Sequence, residues 1–231
     1  MPDFKNRSNE DEIMDNFGLS LEELNPVLKE LDVINKLLGG FFVFFDAFKK
    51  LKLKSGDVIA DWGCGSGSTF KVLQKRFEKS DIHPTYIGID ATPATVDYAR
   101  QQFGSNLKVS FRLADVLSEE FSENEFDFVI SSLFTHHFED EQWAKLVGKM
   151  LHSSKKAVII NDLHRHPLAY HSIGILTKLF SKSPMVKNDS QVSVMRSFKR
   201  KELQKLLSDA KAKSYTIKWM WAFRWQIIIY K

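Results

Sequence analysis

Val58-Ile59-Ala60-Asp61-Trp62-Gly63-Cys64-Gly65-Ser66-Gly67 decides the reading of this chain. A short apolar run ends in an acid, and three glycines follow at alternate positions. Thr69 to Phe77 then places Phe70, Leu73 and Phe77 on one helical side. The pattern is strand, glycine turn, helix. Gly63, Gly65 and Gly67 permit positive φ and carry no Cβ to block a ligand lying on the backbone. The new helix offers free N–H groups to that ligand. A second apolar run, Tyr86 to Asp90, again ends in an acid, 23 residues beyond Gly67. That is about the distance at which a βαβ unit sets a carboxylate against ribose hydroxyls.

The glycine spacing differs from the G-x-G-x-x-G of a dinucleotide site, and Asp61 stands two residues before it. An acid there would repel a pyrophosphate but pair with an ammonium group. The ligand this suggests is a nucleoside bearing a cationic amino acid, and S-adenosylmethionine fits. Asp61 to Gly67 resembles the first motif of class I S-adenosylmethionine-dependent methyltransferases. Asp90 matches that family's ribose-binding acid. Leu113-Ala114-Asp115-Val116 matches the motif that meets adenine, and Phe126 to Ser132 matches the fourth strand. The resemblance implies a cofactor set of Asp61, Gly63, Cys64, Gly65, Gly67, Asp90, Ala91, Asp115, Val116 and Ser131.

The 231 residues suit one substantial α/β domain with an elaboration, and 43% apolar residues suit a globular core. A net charge of +4 is too weak and dispersed to argue for nucleic acid. One cysteine, Cys64, excludes an internal disulfide framework and a cysteine zinc cluster. Met1 to Asp15 is charged and lacks a signal-peptide apolar region, and no run approaches ~20 apolar residues. The cytoplasm is the expected location.

Residues 1–18 are polar and expected to be mobile. Ser20 and Glu23 form a capping box ahead of Leu21, Leu24, Leu28, Leu31, Ile34, Leu37 and Leu38 at helical spacing. Pro26 is expected to split or kink this helix, and Gly39-Gly40 to end it. Phe41, Phe44, Phe45 and Phe48 form a second stripe, read as core or as the roof of an apolar pocket. Strands over 107–113, 126–132 and 157–160 alternate with helices over 93–103 and 140–151, which implies a parallel sheet with ligands beyond its carboxyl ends. Leu168 to Phe180 reads as an inserted apolar helix, Ser181 to Gln191 as a polar loop, and Ser197 as the cap of another helix. Tyr215 to Trp219 and Trp225 to Tyr230 read as a closing antiparallel pair. Trp219, Trp221 and Trp225 read as packing residues.

Methyl transfer from a sulfonium is a direct displacement, so positioning supplies most of the catalysis. An oxygen acceptor also benefits from a base. Leu133-Phe134-Thr135-His136-His137-Phe138 and Asn161-Asp162-Leu163-His164-Arg165-His166-Pro167 are histidine-rich loops at the ends of strands four and five. His136 is the expected base with Asp162 as its partner, and His137 is the rival. His164-x-His166 is the pair a zinc ion could use, but no metal is expected.

The Asn/Asp-Pro-Pro-Tyr/Phe segment of amino-purine and glutamine methyltransferases is replaced by Ser131-Ser132-Leu133-Phe134, so small-molecule acceptors are favoured. The His-His pair resembles ubiquinone/menaquinone-type methyltransferases. Residues 34–40, 161–170 and 190–198 resemble a bacterial subgroup associated with polyketide and pigment pathways. The resemblance implies a Rossmann-like seven-stranded mostly parallel sheet with an antiparallel last strand. Helical cover would come from 19–51 and from an insertion at 163–198, around a core at 56–162 and closing elements at 199–231, within one domain spanning 19–231. The expected reaction is O-methylation of a small, apolar phenol, quinol or polyketide-derived acid, by a monomer or homodimer that binds neither nucleic acid nor, by insertion, membrane. Carbon or nitrogen transfer and a non-catalytic cofactor-binding protein are the alternatives. Phe44, Phe45, Arg165, Tyr170, His171 and Arg196 are the candidate acceptor residues, with Arg165 or Arg196 suited to a carboxylate.

Overall fold

The computed structural model describes residues 2–16 and 18–231; Met1 and Phe17 lie outside the described residues. The strands are β1 (Val58–Trp62), β2 (Thr85–Asp90), β3 (Val109–Leu113), β4 (Phe126–Ser132), β5 (Ser154–Leu163), β6 (Tyr215–Met220) and β7 (Arg224–Tyr230). The helices are α1 (Leu21–Leu37), α2 (Phe42–Leu51), α3 (Ser68–Glu78), α4 (Pro93–Phe103), α5 (Asp140–Ser153), α6 (Pro167–Phe180), α7 (Pro184–Arg196) and α8 (Arg200–Asp209). One seven-stranded sheet runs in the order β3-β2-β1-β4-β5-β7-β6. β7 slots antiparallel between β5 and β6, and the other six strands point one way. This is the Rossmann-like sheet that the sequence predicts.

Strand side chains alternate between faces, so one apolar run feeds two cores. Ala60, Val129, Val158 and Ile160 meet Trp143, Leu146 and Val147 of α5 and Leu203 and Leu206 of α8. Ile59, Phe128, Ile130 and Ile159 meet Phe44 and Phe48 of α2 and Phe70, Leu73 and Phe77 of α3. Both faces are thereby closed, and the carboxyl ends of the strands are left for a site. α1, α6 and α7 pack as a group that contributes to the wall above those ends.

Several elements differ from expectation. Ser20 and Glu23 do form their box, but α1 runs through Pro26 without a break. The expected polar loop at 181–191 is mostly α7, capped by the Ser183 hydroxyl accepting from Val186 N–H, with Pro184 at its first turn. Its weak amphipathicity hid it. Ser197 caps nothing downstream; its hydroxyl donates to the Val194 carbonyl, and α8 begins at Arg200 after Lys199 N–H has donated to Glu202. Trp225 packs in the core, but Trp219 and Trp221 are exposed. Residues 4–15, expected to be mobile, are tied to the body of the fold through Arg7, Ser8, Glu12, Ile13 and Met14. Among the described residues, no helix is long and apolar enough to cross a membrane.

Phe128 is fully buried, with its ring edge-to-face against Phe48 at 5.3 Å. Phe128→Ala should cost about 3–5 kcal/mol, as large-to-small core changes do, measured as a lower urea midpoint. A loss below about 1 kcal/mol would show that this face is loosely packed.

Candidate functional site

A cavity of about 520 Å³ opens where β1, β2, β3, β4 and β5 end. That lies within the range of small-molecule sites, roughly 300–1,000 Å³. On one side it is walled by Gly63, Gly65, Asp90, Ala91, Asp115 and Val116. Asp90 Oδ2 accepts from Gly65 N–H at 3.0 Å, and Oδ1 accepts from Thr92 N–H at 3.0 Å. The acid at the end of β2 therefore shapes the turn after β1. Burial raises the Asp90 carboxyl above its ordinary range.

The three glycines serve different purposes. Gly65 has φ +52° and open space where a Cβ would point, so it lets a ligand approach. A Cβ on Gly63 would lie 2.2 Å from the Phe134 ring, and one on Gly67 would lie 2.9 Å from Phe103. Those two clear the way for aromatic packing rather than for a ligand. Asp61 is fully buried, and its Oδ1 has no hydrogen-bond partner. Burial and the nearby Asp90 push its carboxyl well above the usual range. Thr69 bonds this carboxyl, and the unpartnered oxygen, lying behind the glycine turn, is suited to an ammonium group such as that of S-adenosylmethionine. The residues present thus fit that cofactor. Of the expected cofactor set, Asp61, Cys64, Gly67 and Ser131 do not line the cavity. Burial raises the Cys64 thiol, which packs beside Gly88, and the Ser131 hydroxyl donates to the Trp62 carbonyl at 2.9 Å, stapling β4 to β1.

The opposite wall is built on Asp162, at the end of β5. Its carboxylate accepts from Thr135 Oγ1 at 2.6 Å, His136 N–H at 3.0 Å, His136 Nδ1 at 2.6 Å and Leu163 N–H at 2.7 Å. The expected pair of His136 and Asp162 is therefore brought together. The other ring nitrogen of His136 lies 3.2 Å from Glu12 Oε1, which also accepts from Ser193 Oγ at 2.7 Å. Burial opposes the imidazolium, but Asp162 and Glu12 outweigh it and raise His136 to about 10. In this closed arrangement His136 is a cation at neutral pH, so it cannot take a proton. His137 stacks on it at 4.5 Å and faces the cavity. Its Nδ1 is 2.7 Å from Asp15 Oδ1, an ion-pair distance without hydrogen-bond alignment. Glu12, His136 and His137 bring potential ligand atoms within 4.8 Å of one another, but a metal ion there would compete with the protons that hold this cluster together.

Several expected acceptor residues lie elsewhere. Phe44 is sealed in the core, and Phe45 packs edge-to-face on Phe77. Tyr170 and His171 meet Phe4, away from the cavity. Arg165 is fully buried, donating to the Phe4, Lys5 and Ser197 carbonyls and pairing with Glu202. It ties the N-terminal segment to α8 and is not available to a ligand. Arg196 does line the cavity, but it donates to the Glu10 and His137 carbonyls and to Asp15. His166 caps α6, and His164 stacks near Trp225, where burial lowers it to about 4.

Other residues had no sequence signal that marked them. Glu12 and Asp15 come from a polar stretch without periodicity. Asp189 of α7 anchors that stretch by accepting from Ile13 and Met14 N–H. Leu24, Leu28, Leu31 and Ile34 of α1, by contrast, belong to the helical stripe visible in the sequence, and they make the cavity's apolar wall. Arg224, which heads β7, also lines it.

Residues 59–157 match the family model described as a methyltransferase domain. A stretch of 138 residues is 32% identical to phosphoethanolamine N-methyltransferase 1 of Triticum aestivum, covering 56% of this chain and 25% of that protein. The chain spans about a quarter of the length of the curated relatives it matches first. Human N-acetylserotonin methyltransferase, solved with S-adenosylmethionine, superposes with a TM-score of 0.65 at 19% identity over 97% of this chain and 63% of its own. The plantazolicin methyltransferase BpumL, solved with S-adenosylhomocysteine, gives 0.64 at 17% identity over 90% and 87%. Residues 59–157 are thus similar to a methyltransferase domain, and these two solved neighbours hold S-adenosylhomocysteine or S-adenosylmethionine.

The His136 ion pair carries a pH signature. Its pKa is higher folded than the ordinary 6.5, so its stabilisation is complete below about pH 6.5 and lost as pH rises towards 10. Glu12 and Asp162 are lowered, so their share is lost in acid instead. His136→Gln should cost about 3–5 kcal/mol near pH 7, because Asp162 keeps a buried charge without its cation. It should also flatten the decline in stability from pH 7 to 10. An unchanged alkaline slope in urea titrations would contradict the ion pair.

Proposed function

Taking the methyltransferase domain as the premise, we propose that this chain transfers the methyl group of S-adenosylmethionine to a hydroxyl of a small aromatic acceptor. The observation that carries the reading is the shared cavity. One wall is the backbone turn of Gly63 and Gly65 with Asp90 and Asp115, and the facing wall is leucines of α1 with the paired histidines. Asp90 would hold the ribose hydroxyls, Val116 would flank adenine, and Asp61 would face the ammonium. The cofactor supplies the electrophilic methyl. The chain's own groups hold both partners in line and keep water out.

The apolar lining of Leu24, Leu28, Leu31, Ile34, Phe134 and Phe138 suits an aromatic ring. His136, held as an imidazolium between two carboxylates, acts as a positioning residue and fixes the stacked His137. His137 is the group placed to take the hydroxyl proton as the methyl transfers. This reverses the order of the two histidines expected from sequence, for the physical reason that His136 already carries its proton. Human N-acetylserotonin methyltransferase and the plantazolicin methyltransferase act, by their names, on small molecules, which agrees with this class of acceptor.

Two measurements test the reading. Calorimetric titration should show S-adenosylhomocysteine binding, weakened about 10- to 100-fold in Asp90→Asn, since a hydrogen bond to a charged group is worth about 1.5–3 kcal/mol. No binding by the intact chain would overturn the cofactor site. With a turned-over phenol in hand, His137→Gln should lower kcat about 10²- to 10⁴-fold. Unchanged kcat would rule out the base and favour transfer to carbon.

A further inference from the structure

Among the described residues that line the cavity, Arg224 is the buried guanidinium with no bond to the protein. Its side chain is 2% exposed. Its Nε and Nη1 are buried without a hydrogen-bond partner, and no carboxylate among the described residues lies within ion-pair distance. Asp162 is the acid whose field it feels, but that carboxylate is already bonded to Thr135, His136 and Leu163. Arg165 and Arg196 hold backbone carbonyls and acids of the chain itself. A buried cation without a partner is strongly unfavourable. Such a group is kept where a ligand supplies the counter-charge.

We propose that Arg224 is the receptor for a carboxylate on the methyl acceptor. The inference rests on the methyl-transfer reading above and narrows its acceptor to an aromatic or polyketide-like acid. The planar fork of a guanidinium matches a carboxylate through two parallel N–H···O bonds. The backbone presents it for this purpose. Arg224 pairs with Leu163 at the carboxyl end of β5, and it follows Phe223, whose φ of +51° turns the chain into the strand. Asn35 of α1 lies nearby, its Oδ1 also buried without a partner, and it offers a second polar contact to a hydroxyl of the acid. Both crowd the space above Gly40, where a Cβ would lie 1.8 Å from Asn35 Oδ1 and 3.1 Å from Arg224 Cζ.

The cofactor's own carboxylate is the competing occupant. Strand order argues against it. β7 lies three strands from β1, so at ~4.8 Å per strand Arg224 starts about 14 Å from the glycine turn. It enters from the acceptor side of β4, beyond Asp162.

The test uses the full chain, with S-adenosylhomocysteine bound where it binds. Matched aromatic acids and their carboxamides, from 4-hydroxybenzoate to naphthoic and cinnamic acids, are titrated by calorimetry and thermal shift, with phenyl phosphate as a further arm. The proposal expects at least one acid to bind tenfold or more tightly than its carboxamide, and Arg224→Gln to abolish that preference while leaving S-adenosylhomocysteine affinity unchanged. A preference for the phosphate over every acid would overturn the carboxylate assignment. Binding of no acid, or equal binding of acid and amide, would overturn the proposal. An Arg224→Gln variant that loses S-adenosylhomocysteine affinity would assign the arginine to the cofactor. Failure of the wild type to bind S-adenosylhomocysteine would instead sink the methyl-transfer reading. A second variant, Arg224→Met, separates binding from structure. Removing an unpaired buried charge should hold or raise the thermal midpoint of the ligand-free protein, whereas a large fall would show that Arg224 serves the fold.

Discussion

Asp162 is the point on which the acceptor side of this molecule turns. Its carboxylate is fully buried, and it collects two N–H groups of the backbone, a hydroxyl and an imidazole. Through them it fixes the loop after β4 against the end of β5. The ring it holds then grips Glu12, and Glu12 brings the N-terminal segment across the cavity. A buried carboxylate is costly alone, and each of these donors offsets part of that cost. The result is a relay of charge, from Asp162 to His136 to Glu12, that no contact on the opposite wall resembles.

That opposite wall is a backbone device. Asp90 binds amide groups of two turns, and Gly65 leaves room for a ligand. Helices and side chains can change around it without altering the turn. The two halves of the cavity therefore differ in kind: one is made by main-chain geometry close together in sequence, the other by side chains drawn from distant elements.

This difference explains what could be read from the sequence. Residues 58–67, 86–90 and 113–116 announce the cofactor wall, because glycines and strand-end acids are local signals. The strands and most helices followed from apolar periodicity. The histidines were visible as a cluster at two strand ends, and so was Asp162 as a partner, but the second carboxylate that helps Asp162 hold a proton on His136 is Glu12, 124 residues away. Nothing local marks Glu12. Arg165 and Arg196 were the arginines read as suited to a carboxylate, since a sequence does not say which guanidinium meets carbonyls of its own chain. The available signal for Arg224 was weak: a lone charge heading Trp225 to Ile229, a run that is buried throughout. Helix α7 was missed because polar side chains on its inner face, Asp189 and Ser193, meet the N-terminal segment, so the usual amphipathic stripe is absent.

The position of β7 between β5 and β6 has a kinetic consequence. Loop closure must precede the contacts that reward it, and contacts between distant residues form slowly. β6 and β7 form a local hairpin, so Arg224 is brought to the cavity when that hairpin docks on β5, whereas Glu12 meets α7 and the loop beyond β4 across long stretches of chain. A chain whose β1, β2 and β4 are paired still has half a cavity, because the acceptor wall depends on contacts between segments far apart in sequence.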